Sequence, residues 1–171
     1  MSYRMLIAGT GNIFLGDDGF GVEVINRLAR EALPSWVRVE DFGIRGVHLA
    51  YEMTDPQCET TVLIDAMPRG EAPGTVYLVK PEIAESSRSC APDAHSMDPQ
   101  AVLAASIALG GIPGRVFIVG CEPASIREHM GLSEPVARAV DEAVRLVHDL
   151  VAKEEAQHVP GNSRTNREVA S

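Results

Sequence analysis

Short apolar runs alternate with amphipathic segments along most of this chain. Runs at residues 5–8, 61–64 and 116–120 each end in a turn or a polar residue, which is typical of strands buried on both faces. Residues 37–40 alternate apolar and polar positions and predict a strand with one more exposed face. Residues 75–79 predict a fifth strand, which follows the run at 61–64 after a loop too short for a helix and therefore returns antiparallel.

Helical spacing of apolar residues fills most of the intervals between these strands. One helix has a clear start, because Asp98 supplies an N-cap and Pro99 suits the first helical position. The longest helix opens with a Ser-Glu-Pro sequence and is the last element of the pattern. The predicted helices cover residues 22–29, 47–53, 99–109 and 133–151.

The alternation of strands and helices predicts an α/β fold built on a mostly parallel sheet. A length of 171 residues fits one domain, and the sequence contains no internal repeat. We assign this single domain to residues 1–152. Residues 153–171 combine balanced charges with little apolar content, and we expect them to form a flexible C-terminal tail.

The charge balance narrows the range of partners. The chain has 15 Lys and Arg against 24 Asp and Glu, a net charge of −9. This balance argues against nucleic-acid or anionic-membrane partners, since both need a positive field. No apolar run approaches the roughly 18 residues of a membrane span, and the first one is too short for a signal-peptide core. We therefore expect a cytoplasmic protein.

The cysteines give no sign of a structural cross-link or metal site. Cys58, Cys90 and Cys121 are odd in number and widely spaced, and no CxxC pair is present. This pattern favours neither a disulfide framework nor a zinc ribbon.

A glycine-rich stretch with two acidic residues follows the first strand. Ligands of open α/β sheets bind at the carboxyl ends of strands, so residues 9–19, which include Asp17 and Asp18, are candidates for a site. A nucleotide- or flavin-binding loop is disfavoured, because Phe14 occupies the position of its third glycine and two carboxylates would repel a pyrophosphate. One of the two aspartates is expected to cap the following helix, and the spacing leaves open which one.

Two further polar residues lie where a cleft is expected. Asp65 directly follows a buried-strand run, and His95 lies in the loop before the third predicted helix. A charge at the end of a buried strand needs a partner or solvent in a cleft. The structural alternatives are a turn carboxylate that binds the amides of Ala66 and Met67, and a solvated loop histidine. Two carboxylates and an imidazole that converge could bind a transition metal or act as general acid and base.

Several of these residues belong to short motifs that occur in a definite order. The motifs are Gly9-x-Gly11-Asn12, Gly16-Asp17-Asp18-Gly19-x-Gly21, Ile64-Asp65-Ala66 and then His95. Together they resemble the hydrogenase maturation endopeptidases, which remove a short C-terminal extension from the large subunit of nickel–iron hydrogenase. The resemblance covers about residues 4–152.

The resemblance implies a three-layer αβα sandwich with a twisted, mostly parallel five-stranded sheet, and an endopeptidase whose partner is a nickel-loaded large-subunit precursor. The family's metal ligands correspond to Asp18, Asp65 and His95, and the same three residues are the expected catalytic residues. The first position is Glu in some members, so Asp18 is shorter by one methylene. The nickel would come from the substrate, so no resident cofactor is expected.

Three routes to cleavage stay open: nickel polarises the scissile carbonyl, nickel activates a water, or a carboxylate serves as general base. Asp65 is the expected residue for that base, because the end of a buried strand is a place where a raised pKa is expected. The alternative function is a non-proteolytic, nickel-handling or metal-dependent binding protein on the same fold. Only a protease would shorten its partner.

Overall fold

Strands and helices alternate in the computed structural model, which describes residues 2–82, 98–111 and 114–158. The strands are β1 (Met5–Thr10), β2 (Val37–Gly43), β3 (Thr60–Ala66), β4 (Val76–Val79) and β5 (Arg115–Cys121). The helices are α1 (Phe20–Leu28), α2 (Gly46–Glu52), α3 (Pro99–Ala108) and α4 (Glu134–Gln157), and a 3₁₀ turn (Gly16–Gly19) precedes α1. Every strand and helix that the apolar pattern predicts is confirmed.

The strands form one sheet in the order β2-β1-β3-β5-β4, in which only β4 runs antiparallel to its neighbour. Alternate side chains of β1 enter different cores: Met5 and Ile7 pack with α1 and α4, whereas Leu6 and Ala8 pack with α2 and α3. Helices therefore cover both faces of the sheet, and the expected three-layer αβα sandwich is confirmed.

Helix α1 lies unusually close to the sheet at its N-terminal end. A Cβ atom at Gly21 would lie 2.2 Å from the carbonyl oxygen of Ile64 and 2.5 Å from that of Thr10. Only a residue without a side chain permits this contact. The approach places the start of α1, and the 3₁₀ turn before it, at the carboxyl ends of β1 and β3.

Helix α4 continues further than the sequence pattern indicates. It ends at Gln157 and so includes residues 153–157, which the sequence analysis assigns to the tail. Arg115 of β5 explains the extension, since its guanidinium binds the Glu154 carboxylate at 2.6 Å and also contacts Gln157. The assigned tail from residue 159 onward lies outside the described residues.

The two cysteines that the structure describes, Cys58 and Cys121, are buried free thiols, in line with their spacing. Cys90 lies outside the described residues. In the described part of the chain, no helix combines the length and apolar character needed to cross a membrane.

Candidate functional site

The carboxyl ends of β1 and β3 bring Asp65 close to the 3₁₀ turn that contains Asp18. Asp65 lies in β3 and is 4% exposed. Gly11 separates the two residues: its φ angle is +129°, and a Cβ atom there would lie 1.9 Å from the Asp18 carbonyl oxygen and 3.5 Å from Oδ1 of Asp65. A side chain at residue 11 would therefore push the turn away from the sheet.

Asp65 carries a buried carboxyl group beside a second acidic residue. Burial raises the pKa of Asp65 well above its ordinary value, and the negative charge of Asp18 raises it further. Asp98, at the start of α3, adds a smaller repulsion. The neighbouring Thr10 hydroxyl and the Ala66 amide, which donates to the carboxylate, lower the pKa without reversing the shift. The Asp65 carboxyl group is therefore harder to ionise than an exposed aspartate, and its carboxylate is correspondingly more basic.

The sequence left open that Asp65 is only a turn carboxylate that binds the amides of Ala66 and Met67. One of these two contacts is present. The amide of Ala66 donates to Oδ1 of Asp65 at 2.8 Å. The amide of Met67 donates instead to the carbonyl oxygen of Cys121 at 2.8 Å, because β3 and β5 continue as a ladder to that point.

Asp18 points toward the end of β1. Its Oδ2 accepts a hydrogen bond from the amide of Asn12 at 2.8 Å. The prediction that Asp17 or Asp18 caps α1 is wrong: Gly19 holds the N-cap position, without a side-chain hydrogen bond to the helix. The reason is the inserted 3₁₀ turn, which places both carboxylates one turn before the helix.

Asp17 is buried and turned into the protein, with 1% of its surface exposed. Its Oδ2 accepts hydrogen bonds from the amides of Ala124 (2.8 Å) and Ser125 (3.1 Å) and from the hydroxyl of Ser133 (2.9 Å). Its Oδ1 accepts the Ser133 amide at 2.7 Å. Burial opposes ionisation of Asp17, but these hydrogen bonds outweigh it and lower the pKa of the carboxyl group below its ordinary value.

These contacts of Asp17 could not be predicted from the residues around it. The sequence offered one indication: only one of the two adjacent aspartates could cap the helix, so the other needed different hydrogen-bond partners. Thr10 and Asp98 were also missed as neighbours of Asp65, since they come from separate elements of the chain.

His95, the third predicted site residue, lies outside the described residues, so its convergence with Asp18 and Asp65 stays a prediction. Within residues 2–82, 98–111 and 114–158, no three His, Cys, Asp or Glu side chains form a group that could hold a metal ion. The described part of the site is thus a pair of carboxylates that could supply two metal ligands.

The loop between β5 and α4 borders the site. The amide of His129 donates to the Phe14 carbonyl at 3.0 Å, and the amide of Gly16 donates to the His129 carbonyl at 2.7 Å. A cavity of about 180 Å³ lies between this loop and the 3₁₀ turn, and His129 and Ser125 help to line it. His129 is exposed and therefore faces solvent beside the site.

Comparison with known proteins finds similarity to hydrogenase maturation proteases. The family model described as "HycI: Hydrogenase maturation protease" matches residues 22–150. The hydrogenase 2 maturation protease of Escherichia coli is 28% identical over 159 residues, which cover 92% of this chain and 96% of that protein.

Solved structures show the same similarity in three dimensions. A hydrogenase 2 maturation peptidase from a Thaumarchaeota archaeon superposes with a TM-score of 0.68 at 31% identity, over 87% of this chain and 98% of the other. The hydrogenase maturating endopeptidase HybD of Escherichia coli superposes with a TM-score of 0.72 at 27% identity, over 88% of this chain and 93% of the other. Since the family match runs from α1 to α4, this chain belongs to the hydrogenase maturation protease family.

Proposed function

We propose that this chain is an endopeptidase that removes the C-terminal extension of a nickel-loaded large-subunit precursor of a nickel–iron hydrogenase. The observation that carries this proposal is the pairing of Asp18 with the buried Asp65 at the carboxyl ends of β1 and β3, in a member of a protease family. The non-proteolytic alternative is not favoured, because the matching family and the solved relatives are described as proteases or peptidases.

The nickel in this proposal belongs to the substrate. Asp18, Asp65 and His95 would complete the coordination of a nickel ion that the precursor already holds, since carboxylate and imidazole are suitable ligands for it. A precursor without nickel would lose these contacts and bind less tightly. The protease would therefore distinguish loaded from unloaded precursor by differential affinity.

Cleavage itself needs a base for the attacking water. Asp65 would take a proton from water while the water oxygen bonds to the scissile carbonyl carbon. The carbon–nitrogen bond then breaks, and the proton passes to the amine of the released peptide. Burial and the nearby charge of Asp18 make the Asp65 carboxylate more basic than an exposed one, which supports this role.

The rim of the site suits a protein substrate. Phe14 is 63% exposed, Ile126 is 53% exposed and Met130 is 59% exposed, and all three lie on the two segments that are hydrogen-bonded to each other beside the 3₁₀ turn. Exposed apolar side chains grouped next to a site commonly mark a surface that a partner covers.

Intact-mass spectrometry of a nickel-loaded precursor, before and after incubation with this protein, tests the proposed function. We expect loss of a C-terminal peptide with the wild-type protein, and no loss with metal-free precursor or with the Asp18→Ala, His95→Ala double variant. An unchanged mass of the loaded, cognate precursor would overturn the protease proposal in favour of the binding protein. Equal cleavage of loaded and metal-free precursor would overturn the nickel-recognition step alone.

A further inference from the structure

We propose that Asp17 is a positioning residue for the reaction: its carboxylate ties the 3₁₀ turn to the N-terminal end of α4 and thereby holds the Asp18 carboxylate in place. This inference rests on the proposed function, because it assigns Asp18 to the site. It adds a residue that does not itself contact the reacting atoms.

The first support is the completeness of the Asp17 contacts. Four donors point at one carboxylate, and all four come from the segment 124–133 on the far side of the turn. The backbone adds two more links, since the Asp17 amide donates to the Ser125 carbonyl at 3.0 Å and the Gly16 amide donates to the His129 carbonyl at 2.7 Å. Asp18 follows directly in the chain, so this set of hydrogen bonds restrains the position of its backbone.

The second support is the hydrogen bond that the Ser133 side chain makes. Ser133 holds the N-cap position of α4, where a serine side chain normally accepts a hydrogen bond from its own helix. Here it makes no such bond, and its hydroxyl donates to Asp17 instead. The helix forgoes a local stabilising contact, and the turn gains an attachment to a helix that is packed in the core.

The third support is that Asp17 binds an exposed loop and not a part of the core. Residues 124–131 are all exposed and contribute nothing to either core cluster. A buried charge costs free energy unless it is fully hydrogen-bonded, and Asp17 meets this condition only while the loop and the turn keep their arrangement, since all four donors lie on the segment 124–133. Its position makes sense when the loop and turn must keep Asp18 in a defined geometry, since small displacements of a catalytic group have large effects on rate.

Asparagine cannot replace Asp17 without loss, which makes Asp17→Asn the variant to test. In either orientation its NH₂ group faces at least one of the four donors, so at least one hydrogen bond becomes a repulsive contact. Ser133→Ala is the milder variant, since it removes only the hydroxyl contact. Val144→Ala, in the α4 core away from the turn, is the control for a general loss of stability.

We expect Asp17→Asn to lower kcat for the nickel-loaded precursor by about tenfold or more, with KM changed by less than about threefold. Ser133→Ala should lower kcat by a few-fold, and Val144→Ala should lower the melting temperature without changing kcat. A folded Asp17→Asn variant with wild-type kcat would overturn the inference, as would an equal loss of kcat in Val144→Ala. If Asp17→Asn does not fold, a wild-type kcat for Ser133→Ala overturns it.

A double-mutant cycle tests whether Asp17 acts through Asp18. Asp18→Glu keeps a carboxylate with one more methylene, so its reach differs when the turn relaxes. The effects of Asp17→Asn and Asp18→Glu on kcat should be non-additive by about threefold or more, and strict additivity would overturn the positioning role. The wild-type protein separates the two proposals: if it does not cleave the loaded precursor, the proposed function fails and the positioning role falls with it, whereas cleavage with an unaffected Asp17→Asn variant removes only the latter.

Discussion

The carboxylates of Asp17 and Asp18 are adjacent in sequence and accept hydrogen bonds from different segments of the chain. Asp17 accepts four hydrogen bonds from the segment before α4, whereas Asp18 accepts one from Asn12 at the end of β1. Of these two aspartates, Asp18 and not Asp17 is among the main contributions to the raised pKa of Asp65. This division assigns a structural attachment to one residue and leaves the other free for chemistry, a distinction with measurable consequences.

Replacing Asp65 with asparagine should separate stability from activity. A carboxyl group whose pKa is raised by folding destabilises the folded state at every pH above its ordinary pKa, because ionisation is harder in the folded protein. Asp65→Asn removes this cost and keeps an oxygen for the Ala66 amide, so its melting temperature at pH 7 should exceed that of the wild type. Its kcat should fall by about 10²–10⁴.

Thermal unfolding of the metal-free protein and steady-state cleavage of the precursor measure the two effects of Asp65→Asn. Normal precursor binding together with a normal cleavage rate would refute Asp65 as the general base. A lower melting temperature would contradict the electrostatic account.

A side chain at Gly11 should impair the protein both because of the positive φ angle and because it would clash with the Asp18 backbone. Gly11→Ala combines a positive φ with a clash against the Asp18 carbonyl, whereas Gly110→Ala has a similarly unfavourable φ of +88° and open space around it. Strain alone costs about 1–3 kcal/mol, so both variants should be less stable in urea unfolding. Only Gly11→Ala should also lose cleavage activity, and equal activity of the two variants would contradict this role.

Glu122 should make stability depend on pH in the acidic range. It is 5% exposed and accepts hydrogen bonds from the amides of Arg69 (2.8 Å) and Gly70 (3.2 Å) and from the Tyr77 hydroxyl (2.8 Å). Burial opposes ionisation, but these bonds prevail and lower the pKa of Glu122 below its ordinary value. A lowered carboxyl pKa stabilises the folded state above the ordinary pKa, and this contribution is lost as the pH falls through the lowered value.

Glu122→Gln should therefore unfold at lower urea concentration than the wild type at pH 7, and the difference should shrink as the pH falls below about 4.5. Glu134→Gln is the matched control, because Glu134 forms an exposed ion pair with Arg138 and should show little effect at any pH. A difference between Glu122→Gln and the wild type that stays constant down to pH 2 would contradict the assignment.

Phe14 should contribute to substrate binding and not to folding. Its side chain is 63% exposed at the rim of the site, so Phe14→Ser should raise the KM for the precursor several-fold with an unchanged melting temperature. Leu109→Ser is the control, since Leu109 is 53% exposed at the far end of α3. Steady-state kinetics with the precursor measure both KM values. An equal KM for the two variants would argue against a role of the exposed apolar residues beside the site in substrate binding.

The amino-acid sequence by itself determined the elements of this fold. Apolar periodicity marked all five strands and four helices in the described residues, and the loop after β3 was too short for a crossover helix, which made β4 antiparallel. These features are local or nearly so, because the spacing of apolar residues is dictated by which face of an element is buried. Motif order indicated Asp18 and Asp65 through family resemblance, and the same resemblance supplied the three-layer arrangement.

The tertiary structure decided what each acidic residue does. Nothing local distinguishes Asp17 from Asp18, and the difference arises because the segment 124–133, more than a hundred positions away, surrounds one carboxylate with donors. The raised pKa of Asp65 likewise depends on burial between neighbouring strands and on Asp18 and Asp98, which come from distant parts of the chain. Burial and charge proximity are properties of packing, so they exist only once the layers have assembled.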